Sequence, residues 1–445
     1  MNSAELPAAG NFIQKKAVWL ILGFFMVISL AIAIAAEKWV FLGVLPIPLL
    51  IYISIRKPFI FPFGLYVFLL PFEGVLDSSS GTGLSKILGA ATILILLLTG
   101  TFEKKLKKPH NVVVLWILFV SYASLSLCWA IDRQIVMGKL VTAIGLLLLY
   151  LIGVSYQIKK SEFDALKWFI VAGGFVAALL LIKNFIAGEF VNQYQMKASI
   201  ALGNQETGTD LQAFYLLFPI SVGIGLLLEQ KTTIARILVL LITFTIIMGV
   251  ITTGTRGVLL SICVVILVYM LSIKHKIDTG VAVLIIVALV IALIPEHVIE
   301  HIGTSADDRG SGRLDIWMVG LKSLQKNWLT GAGFYNFPYA YNEFVDYWPH
   351  FRGLSRGPHN IYLKTFVELG IVGFAIMVFT FIRHYHVISF RRGQNNIDQI
   401  MLKATFWGML NQGFFTDILF YKSFWLLWMM MLMYRNAVAE AYCRK

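Results

Sequence analysis

The chain has 445 residues, of which 58% are hydrophobic and 14% are charged. Soluble globular domains typically contain about 25% charged residues, so this composition excludes an ordinary soluble protein. The net charge of +13 does not indicate a nucleic-acid partner, because the basic residues lie mostly in short segments between apolar runs. In a membrane protein such residues set the orientation of the chain.

Apolar runs recur from end to end, and about 20 residues of helix are needed to cross a bilayer core about 30 Å thick. We therefore predict an all-α fold, a polytopic membrane helix bundle of about 12 to 14 transmembrane helices surrounded by membrane lipids. Residues 1–445 are expected to form a single integral membrane domain. The candidate spans lie near residues 17–36, 39–54, 58–72, 87–100, 111–130, 135–156, 165–187, 212–229, 234–252, 257–273, 279–295, 360–383, 403–416 and 419–434.

Clusters of Lys and Arg predict how the bundle is oriented. When the apolar runs are counted alternately, these clusters fall on one side, which the positive-inside rule assigns to the cytoplasm. Both termini are expected on that side, and the opposite side receives a short loop at 188–211 and a large loop at 296–358. The clusters are Lys15-Lys16, Arg56-Lys57, Lys104 to Lys108, Lys159-Lys160, Lys274 to Lys276 and Arg391-Arg392.

The three cysteines do not suggest a disulfide framework or a metal cluster. Cys128 and Cys263 fall inside apolar runs, and Cys443 lies near the end of the sequence. We expect neither a disulfide nor a metal site.

The large loop is longer than a simple connection, which rarely exceeds about 15 residues without a function or structure of its own. Its middle carries apolar residues at spacings of three and four, which predicts an amphipathic helix that ends at the GAG sequence of residues 331–333. This helix is expected to lie against the bundle or the lipid surface. The apolar positions are Leu314, Trp317, Leu321, Leu324 and Trp328.

The segment that follows, FYNFPYAYNEFVDYWPHFRG at 334–353, is dense in aromatic residues. Tyr and Trp favour the membrane interface, and aromatic faces can also stack on sugar rings. The sequence leaves open whether the segment is an interfacial anchor, a glycan-binding surface or both.

Several arginines lie on the side of the membrane where cations are disfavoured, which indicates that something anionic compensates them. They are Arg256, Arg309, Arg313, Arg352 and Arg356. Arg256 in ITTGTRG lies at the end of two adjacent spans without an acidic neighbour in sequence. Arg313 in GSGRLDIW has Asp315 as a possible local partner.

Two such arginines could converge on a phosphate or a diphosphate, which the planar guanidinium group binds through two parallel hydrogen bonds. The alternative is that they pair with Asp307 and Asp308 or with lipid headgroups. The sequence alone does not decide between these two interpretations.

The stretch PHNIYLKTFVELGIVGF at 358–374 places a histidine at the mouth of a predicted span. A helix that begins at His359 would place Tyr362, Phe366, Gly370 and Gly373 on the same face as the imidazole. The glycines would let a neighbouring helix approach closely.

With a pKa near 6.5, an imidazole can act as a general base at neutral pH. The alternative is a histidine that only satisfies a carbonyl group at the helix start. Asn360 is expected to orient His359 or to cap the helix.

At this point the sequence resembles a known family. His359-Asn360, nine further residues and then Gly370-Ile-Val-Gly373 reproduce the H-[NSQ]-x9-G-x-x-G pattern of bacterial O-antigen ligases, within the wider ligase and polymerase superfamily. TGTRG at 253–257 and the sequences GRLDIW and LTGAGFYNF are similar to further signatures of that family. The resemblance covers about residues 200–385, and it departs from the usual pattern at Thr255, where serine is common.

The resemblance implies transfer of an undecaprenyl-diphosphate-linked glycan to a hydroxyl of lipid A core at the outer, periplasmic face of the bacterial cytoplasmic membrane. His359 would accept the proton of the acceptor hydroxyl, and Arg256 and Arg313 would stabilise the departing diphosphate. The reaction would invert the anomeric carbon and would need neither a metal nor a cofactor. Candidate substrate-binding residues are Asn360, Tyr362, Arg352 and Arg356.

Three alternatives remain open. A polymerase that joins repeat units and a protein glycan ligase would use the same donor and the same chemistry. A transporter for a lipid-linked sugar is disfavoured, because the sequence shows no inverted repeat and few charges deep in the spans.

Overall fold

The computed structural model describes residues 47–76, 83–192, 197–202, 205–206, 208–273, 312–389 and 396–443. The predicted spans at 17–36 and 279–295 lie outside the described residues, as do Arg309 and the acidic pair Asp307-Asp308. The described part is mostly helical, which confirms the predicted helical class. Two short antiparallel hairpins are the exception.

Most helices begin and end close to the predicted positions. The α-helices are α1 (Ile47–Arg56), α2 (Phe63–Leu69), α3 (Glu73–Leu76), α4 (Leu84–Phe102), α5 (Val113–Leu125), α6 (Arg133–Ser155), α7 (Lys160–Ile186), α8 (Thr209–Glu229), α9 (Thr233–Thr252), α10 (Arg256–Ser272), α11 (Arg313–Asn327), α12 (Phe337–Glu343), α13 (Ile361–Ile388), α14 (Ile397–Gln412) and α15 (Lys422–Cys443). The strands are β1 (Phe190–Asn192), β2 (Lys197–Ala198), β3 (Ala201–Leu202) and β4 (Gln205–Glu206), paired β1 with β2 and β3 with β4.

Among the described residues, six helices are long and apolar enough to cross a membrane: α4, α6, α7, α8, α9 and α13. Shorter apolar helices include α5 and α10. The chain is therefore a membrane protein with several helical spans, and the number of 12 to 14 spans stays a prediction.

The helix ends gather at two opposite faces of the bundle, which we call the His359 end and the Lys167 end. At the His359 end, the amide of Ile361 donates to the carbonyl of Gly413 (2.8 Å), which joins the start of α13 to the loop after α14. The hairpin segment 190–206 and the loop 312–360 also lie at this end. The described parts of the two predicted loops therefore lie at the same end, and the full extent of the large loop stays a prediction.

The Lys167 end is held by a cluster of buried charges. The Nζ atom of Lys167, whose side chain is only 1% exposed, lies 2.7 Å from Asp398, 2.7 Å from Glu229 and 2.9 Å from Asp164. Lys160 pairs with Asp398 as well (2.9 Å). The three carboxylates lie within 4.8 Å of one another, a spacing that could also suit a metal ion. Because the two ammonium groups pair with them, we assign the cluster to the joining of α7, α8 and α14.

The predicted amphipathic helix is present as α11, and one face of it packs against α13. That face carries the buried residues Ile316, Val319 and Ser323. The predicted apolar stripe lies partly beside this face and partly outward: Leu324 is partly buried against it, whereas Leu314, at 51% exposure, and Trp328, at 59%, are exposed. Contact of the outward residues with lipid stays a prediction.

The long helix α13 is broken at Gly370, whose φ of 64° and ψ of −169° are not helical. The segment 328–333 fills the break. The amide of Ala332 donates to the carbonyl of Val367 (2.9 Å), and the amide of Ile371 donates to the carbonyl of Trp328 (2.9 Å). These bonds satisfy backbone groups that the break would otherwise leave without partners.

The predicted role of the two glycines is therefore corrected. A Cβ atom at Gly370 would lie 2.2 Å from the carbonyl oxygen of Leu329, so the close neighbour is the loop rather than another membrane helix. A Cβ atom at Gly373 would meet the side chain of Leu369 within α13 itself. The predicted continuous face through both glycines does not exist, because the helix is interrupted between them.

We predict that Gly370→Ala destabilises the protein. The new Cβ would collide with the backbone of Leu329, and a left-handed φ costs about 1–2 kcal/mol for a residue with a side chain. The midpoint of thermal unfolding of the purified protein should fall, and the segment 328–333 should become more susceptible to protease.

The matched control is Gly145→Ala in α6, where an added Cβ meets nothing within 4 Å. Alanine favours a helix over glycine by up to about 1 kcal/mol, so this variant should be at least as stable as the wild type. If Gly370→Ala unfolded at the same temperature as Gly145→Ala, the break would not be essential to the packing of the loop.

Candidate functional site

The backbone of His359 is held in an unusual conformation from both sides. Its φ is 48°, in the left-handed region that residues with a side chain rarely adopt. On one side, Nε1 of Trp317 donates to the carbonyl of Pro358 (2.7 Å). On the other side, Oδ1 of Asn360 accepts from the amide of Tyr362 (2.9 Å). Such local strain is typical of functional positions, and here these contacts maintain it.

The structure confirms that Asn360 caps the helix, since its Oδ1 also accepts from the amide of Leu363 (3.0 Å). The prediction that His359 shares a helical face with Tyr362 is wrong. The helix begins at Ile361, and His359 precedes it with a left-handed backbone, so the angular spacing of a helix does not apply to the imidazole.

Arg256 is the first residue of α10 and follows a tight turn at 253–255. Gly254 has a φ of 64°, which favours glycine, and the hydroxyl of Thr253 bonds to the hydroxyl of Thr255 (3.1 Å). The turn is buried at Thr253 and Thr255, whereas Arg256 is partly exposed. The TGTRG sequence therefore fixes the start of α10 and places the guanidinium group of Arg256 at that end of the helix.

Arg313 is the first residue of α11. A carboxylate of a third helix, α8, contacts both Arg313 and the turn at 253–255. Nη2 of Arg313 lies 3.7 Å from Oδ2 of Asp210, in the first turn of α8. The hydroxyl of Thr255 lies 3.4 Å from Oδ1 of the same carboxylate. The positive charge of Arg313 acts on Arg256, so the structure brings the two predicted arginines together.

The predicted pairing of Arg313 with Asp315 is not observed. Asp315 is buried on the other side of α11, where it accepts from Nε of Arg352 (2.8 Å) and from Nε1 of Trp348 (2.8 Å). Successive helical positions point about 100° apart, which separates residues 313 and 315 by more than half a turn.

The remaining sequence-predicted residues lie around this cluster. Arg352 is bound to Asp315, and Nε of Arg356 donates to the carbonyl of Arg352 (2.6 Å) while its side chain stays exposed. The hydroxyl of Tyr362 donates to the carbonyl of Leu410 (2.7 Å). Their assignment to substrate binding stays a prediction.

Lys197 is a member of the cluster that the sequence analysis did not select. Its stem lies along Gly254, where an added Cβ would be 3.3 Å from Cγ and Cε of the lysine. Burial lowers the pKa of Lys197, Asp210 opposes this, and the charges of Arg256 and Arg313 lower the pKa further. A lysine on a predicted loop gave no sequence signal of this position.

A second group of charges lies next to His359. Lys364 forms an ion pair with Asp417, from the loop after α14, and lies 4.0 Å from Glu368. Its Nζ also lies 3.7 Å from the centre of the Tyr335 ring. Glu368 lies one helical turn from Lys364, and Asp417 is the closer of the two acidic partners.

The surroundings of His359 favour its neutral form. The ring is accessible at the surface of the cluster, but protein atoms surround it closely enough that burial lowers its pKa below the ordinary value. The positive charge of Arg313 lowers the pKa further, whereas Asp210 and Asp417 oppose the shift. At neutral pH the imidazole can therefore accept a proton.

The cluster combines three cations with one carboxylate, beside a neutral histidine. Helices α8, α10, α11 and α13 all begin here, and the N-terminus of a helix carries a partial positive charge. An anion with several oxygens, such as a phosphate group, would find both guanidinium donors and favourable dipoles. A hydroxyl near His359 could lose its proton to the imidazole.

The aromatic segment divides into a buried part and an exposed part. Phe334, Phe337 and Tyr341 are buried in the protein, so these rings cannot stack on a ligand without moving. Tyr347 and Phe351 are exposed at 50% and 64%. An interfacial or glycan-contacting role therefore falls to the later residues of the segment.

Comparison with known proteins agrees with the geometry of this site. Residues 239–378 match a family model described as O-antigen ligase, and the matched range includes Arg256, Arg313 and His359. No curated protein matches the chain. Residues 239–378 of this chain are therefore similar to the O-antigen ligase family.

Proposed function

We propose that the protein is an O-antigen ligase, a membrane glycosyltransferase that moves a glycan from undecaprenyl diphosphate to a hydroxyl of lipid A core. The observation that carries the proposal is that Asp210 contacts both Arg313 and Thr255, the residue before Arg256, and that the charges of Arg313 and Asp210 act on His359. These residues begin or precede different helices, so only the folded protein brings them together. The family match supports lipid-linked glycan substrates in general.

In the proposed reaction the two arginines bind the diphosphate of the donor. As the bond between the anomeric carbon and the phosphate oxygen breaks, negative charge develops on the diphosphate. Two fixed guanidinium groups would stabilise this charge, which lowers the barrier more than it strengthens binding of the intact donor. Because the arginines supply the positive charge, we propose that the reaction needs no metal ion and no cofactor.

His359 is the proposed general base. The oxygen of the acceptor hydroxyl forms a bond to the anomeric carbon while the bond to the diphosphate breaks, and the hydroxyl proton moves to the imidazole. One displacement from the face opposite the leaving group inverts the anomeric carbon. Asn360 contributes by holding the start of α13, and with it the position of His359.

The proposed location is the bacterial cytoplasmic membrane, with the His359 end on the periplasmic side. The Lys167 end carries basic residues in short connections, among them Lys104, Lys105 and Lys159, which supports a cytoplasmic position for that end. Both termini would then be cytoplasmic.

The nearest rival is an O-antigen polymerase, which would use the same donor and base. The polymerase branch commonly has two large loops rich in arginine, whereas the second loop here is short and adds only Lys197 to the cluster. A protein glycan ligase differs only in the acceptor.

The proposal is tested by reconstituting the purified protein with undecaprenyl-diphosphate polysaccharide and separate lipid A core, in the presence of a chelator. We expect sugar to appear on the core. Longer polymer on undecaprenyl diphosphate with an unmodified core would identify a polymerase instead, and activity that requires added divalent ions would contradict the proposed electrostatics.

The role of His359 predicts a specific dependence on pH. Since the base must be neutral, transfer should fall as pH decreases through the lowered pKa of His359, which lies below 6.5. Arg313→Gln removes a charge that lowers this pKa, so the residual activity of that variant should fall at a higher pH than wild-type activity does. Full rate profiles from pH 4.5 to 8 measure both midpoints.

His359→Ala should lose transfer while folding normally, and His350→Ala is the matched control because His350 is an exposed histidine of the same loop. Equal midpoints in the wild type and Arg313→Gln would show that the limiting group is not His359.

Arg256→Ala should reduce turnover on the order of 100-fold, the usual effect of removing one donor that stabilises a transition state. Lysine at the same position should restore only part of the rate, because it lacks the planar fork. Arg133→Ala serves as the control, since Arg133 is exposed at the start of α6. Wild-type turnover by Arg256→Ala would remove the arginine clamp from the mechanism.

A further inference from the structure

The β1–β2 hairpin, which carries Lys197, is joined to the bundle through Ser199 and Ile200, the two residues that follow it. Lys197 pairs with Asn192 across the hairpin. Nδ2 of Asn184, near the end of α7, donates to the carbonyl of Ser199 (2.8 Å), and Oε1 of Gln212 accepts from the amide of Ile200 (3.0 Å). The hairpin is therefore tied to two membrane helices.

The side chain of Lys197 is directed across the turn that precedes Arg256. Its stem lies along Gly254, which leaves room for it because glycine has no side chain. The described part of the chain shows no ion pair for Lys197, although Asp210 is near enough for its charge to act on the lysine. Lys197 thus adds a third positive charge to those of Arg256 and Arg313.

Among the described side chains, Asp210 is the carboxylate that lies among these cations. Its contact with Arg313 is 3.7 Å, and its contact with the hydroxyl of Thr255 is 3.4 Å. Both are longer than the usual hydrogen bond of about 2.7–3.0 Å, so the carboxylate is held loosely. It occupies the position where a negatively charged ligand would be attracted.

We propose that Lys197 is a third ligand of the donor diphosphate, and that the carboxylate of Asp210 occupies this anion site until the phosphates displace it. The inference rests on the proposed function and extends it from two phosphate-binding residues to three. The diphosphate of the donor carries about two negative charges near neutral pH, and three cations beside the one carboxylate of Asp210 carry a net charge of +2, whereas two cations beside it would carry only +1. The loose contacts of Asp210 let the carboxylate withdraw at little cost.

Two roles of Asp210 can be separated because they predict opposite effects. If the carboxylate competes with phosphate, its removal should strengthen binding of the diphosphate. If it only holds Arg313 in place, its removal should weaken binding. Asp210→Asn keeps the shape and removes the charge, so one measurement distinguishes the two.

The experiment measures binding of undecaprenyl diphosphate, without sugar, to the full-length protein in nanodiscs with a chelator present. Lys197→Met should weaken binding at least about 10-fold, which corresponds to about 1.4 kcal/mol. Lys197→Arg should retain most of the affinity, and Asp210→Asn should bind more tightly than the wild type. Lys183→Met is the control, because Lys183 is an exposed lysine of α7 at the same end.

Lys197→Gln provides a second uncharged variant, and thermal unfolding verifies that both variants are folded. Wild-type affinity in a folded uncharged variant would overturn the role of Lys197, and weaker binding by Asp210→Asn would overturn the role of Asp210. If Arg256→Ala binds weakly while Lys197→Met binds normally, only this inference fails. If Arg256→Ala also binds like the wild type, the proposed diphosphate site itself is wrong.

Discussion

The structure of the site depends on the backbone contact between segment 328–333 and the broken helix α13. This contact fixes the C-terminal end of α11 against α13. Arg313 is the first residue of α11, and Trp317, about one turn later, donates to the carbonyl of Pro358. The backbones that carry Arg313 and His359 are therefore held relative to each other by backbone hydrogen bonds and by the half-buried indole of Trp317. A proton acceptor and an anion ligand must both be fixed in this way for concerted transfer, because small displacements reduce the rate strongly.

The same site concentrates positive potential that the described protein does not fully neutralise. Four helices begin at it, two of them with an arginine as their first residue, although the helix dipole disfavours a cation there. Asp210 is the acidic residue in the first turn of one of these helices and offsets part of the repulsion. At the Lys167 end, by contrast, three carboxylates and two lysines pair closely in a largely buried cluster. The described charges of the Lys167 cluster thus pair closely with one another, whereas Lys197, Arg256 and Arg313 outnumber the described carboxylate beside them, as the proposed anion site requires.

The sequence predicted the helical class, the helix of the large loop and the clustering of Arg256 and Arg313, because periodicity, cap residues and charges on a disfavoured side are local signals. It failed where the outcome depends on tertiary contacts. The break at Gly370 could not be seen, since GxxG inside an apolar run equally suits a straight helix in contact with another helix. Lys197 and Asp210 precede Arg256 by 59 and 46 residues along the chain, and only the folded β1–β2 hairpin and helix α8 bring them close to it. For α11 the spacing predicted an apolar stripe, but it could not decide whether the bundle or the lipid surface covers that stripe.

The position of the break in α13 also determines how far His359 stands from the hydrocarbon layer of the membrane. The segment after Gly370 continues to Ile388 and is about 27 Å long at about 1.5 Å per residue, close to the thickness of the hydrocarbon layer. The segment from Ile361 to Leu369 adds about 14 Å and carries the buried charges of Lys364 and Glu368, which suit the polar headgroup region. With the longer segment in the hydrocarbon, the imidazole of His359 stands roughly 14 Å above it. A hydroxyl at the level of the lipid glycerol or of the first sugar would lie too low, whereas a headgroup built of several sugars would present its outer hydroxyls at that level.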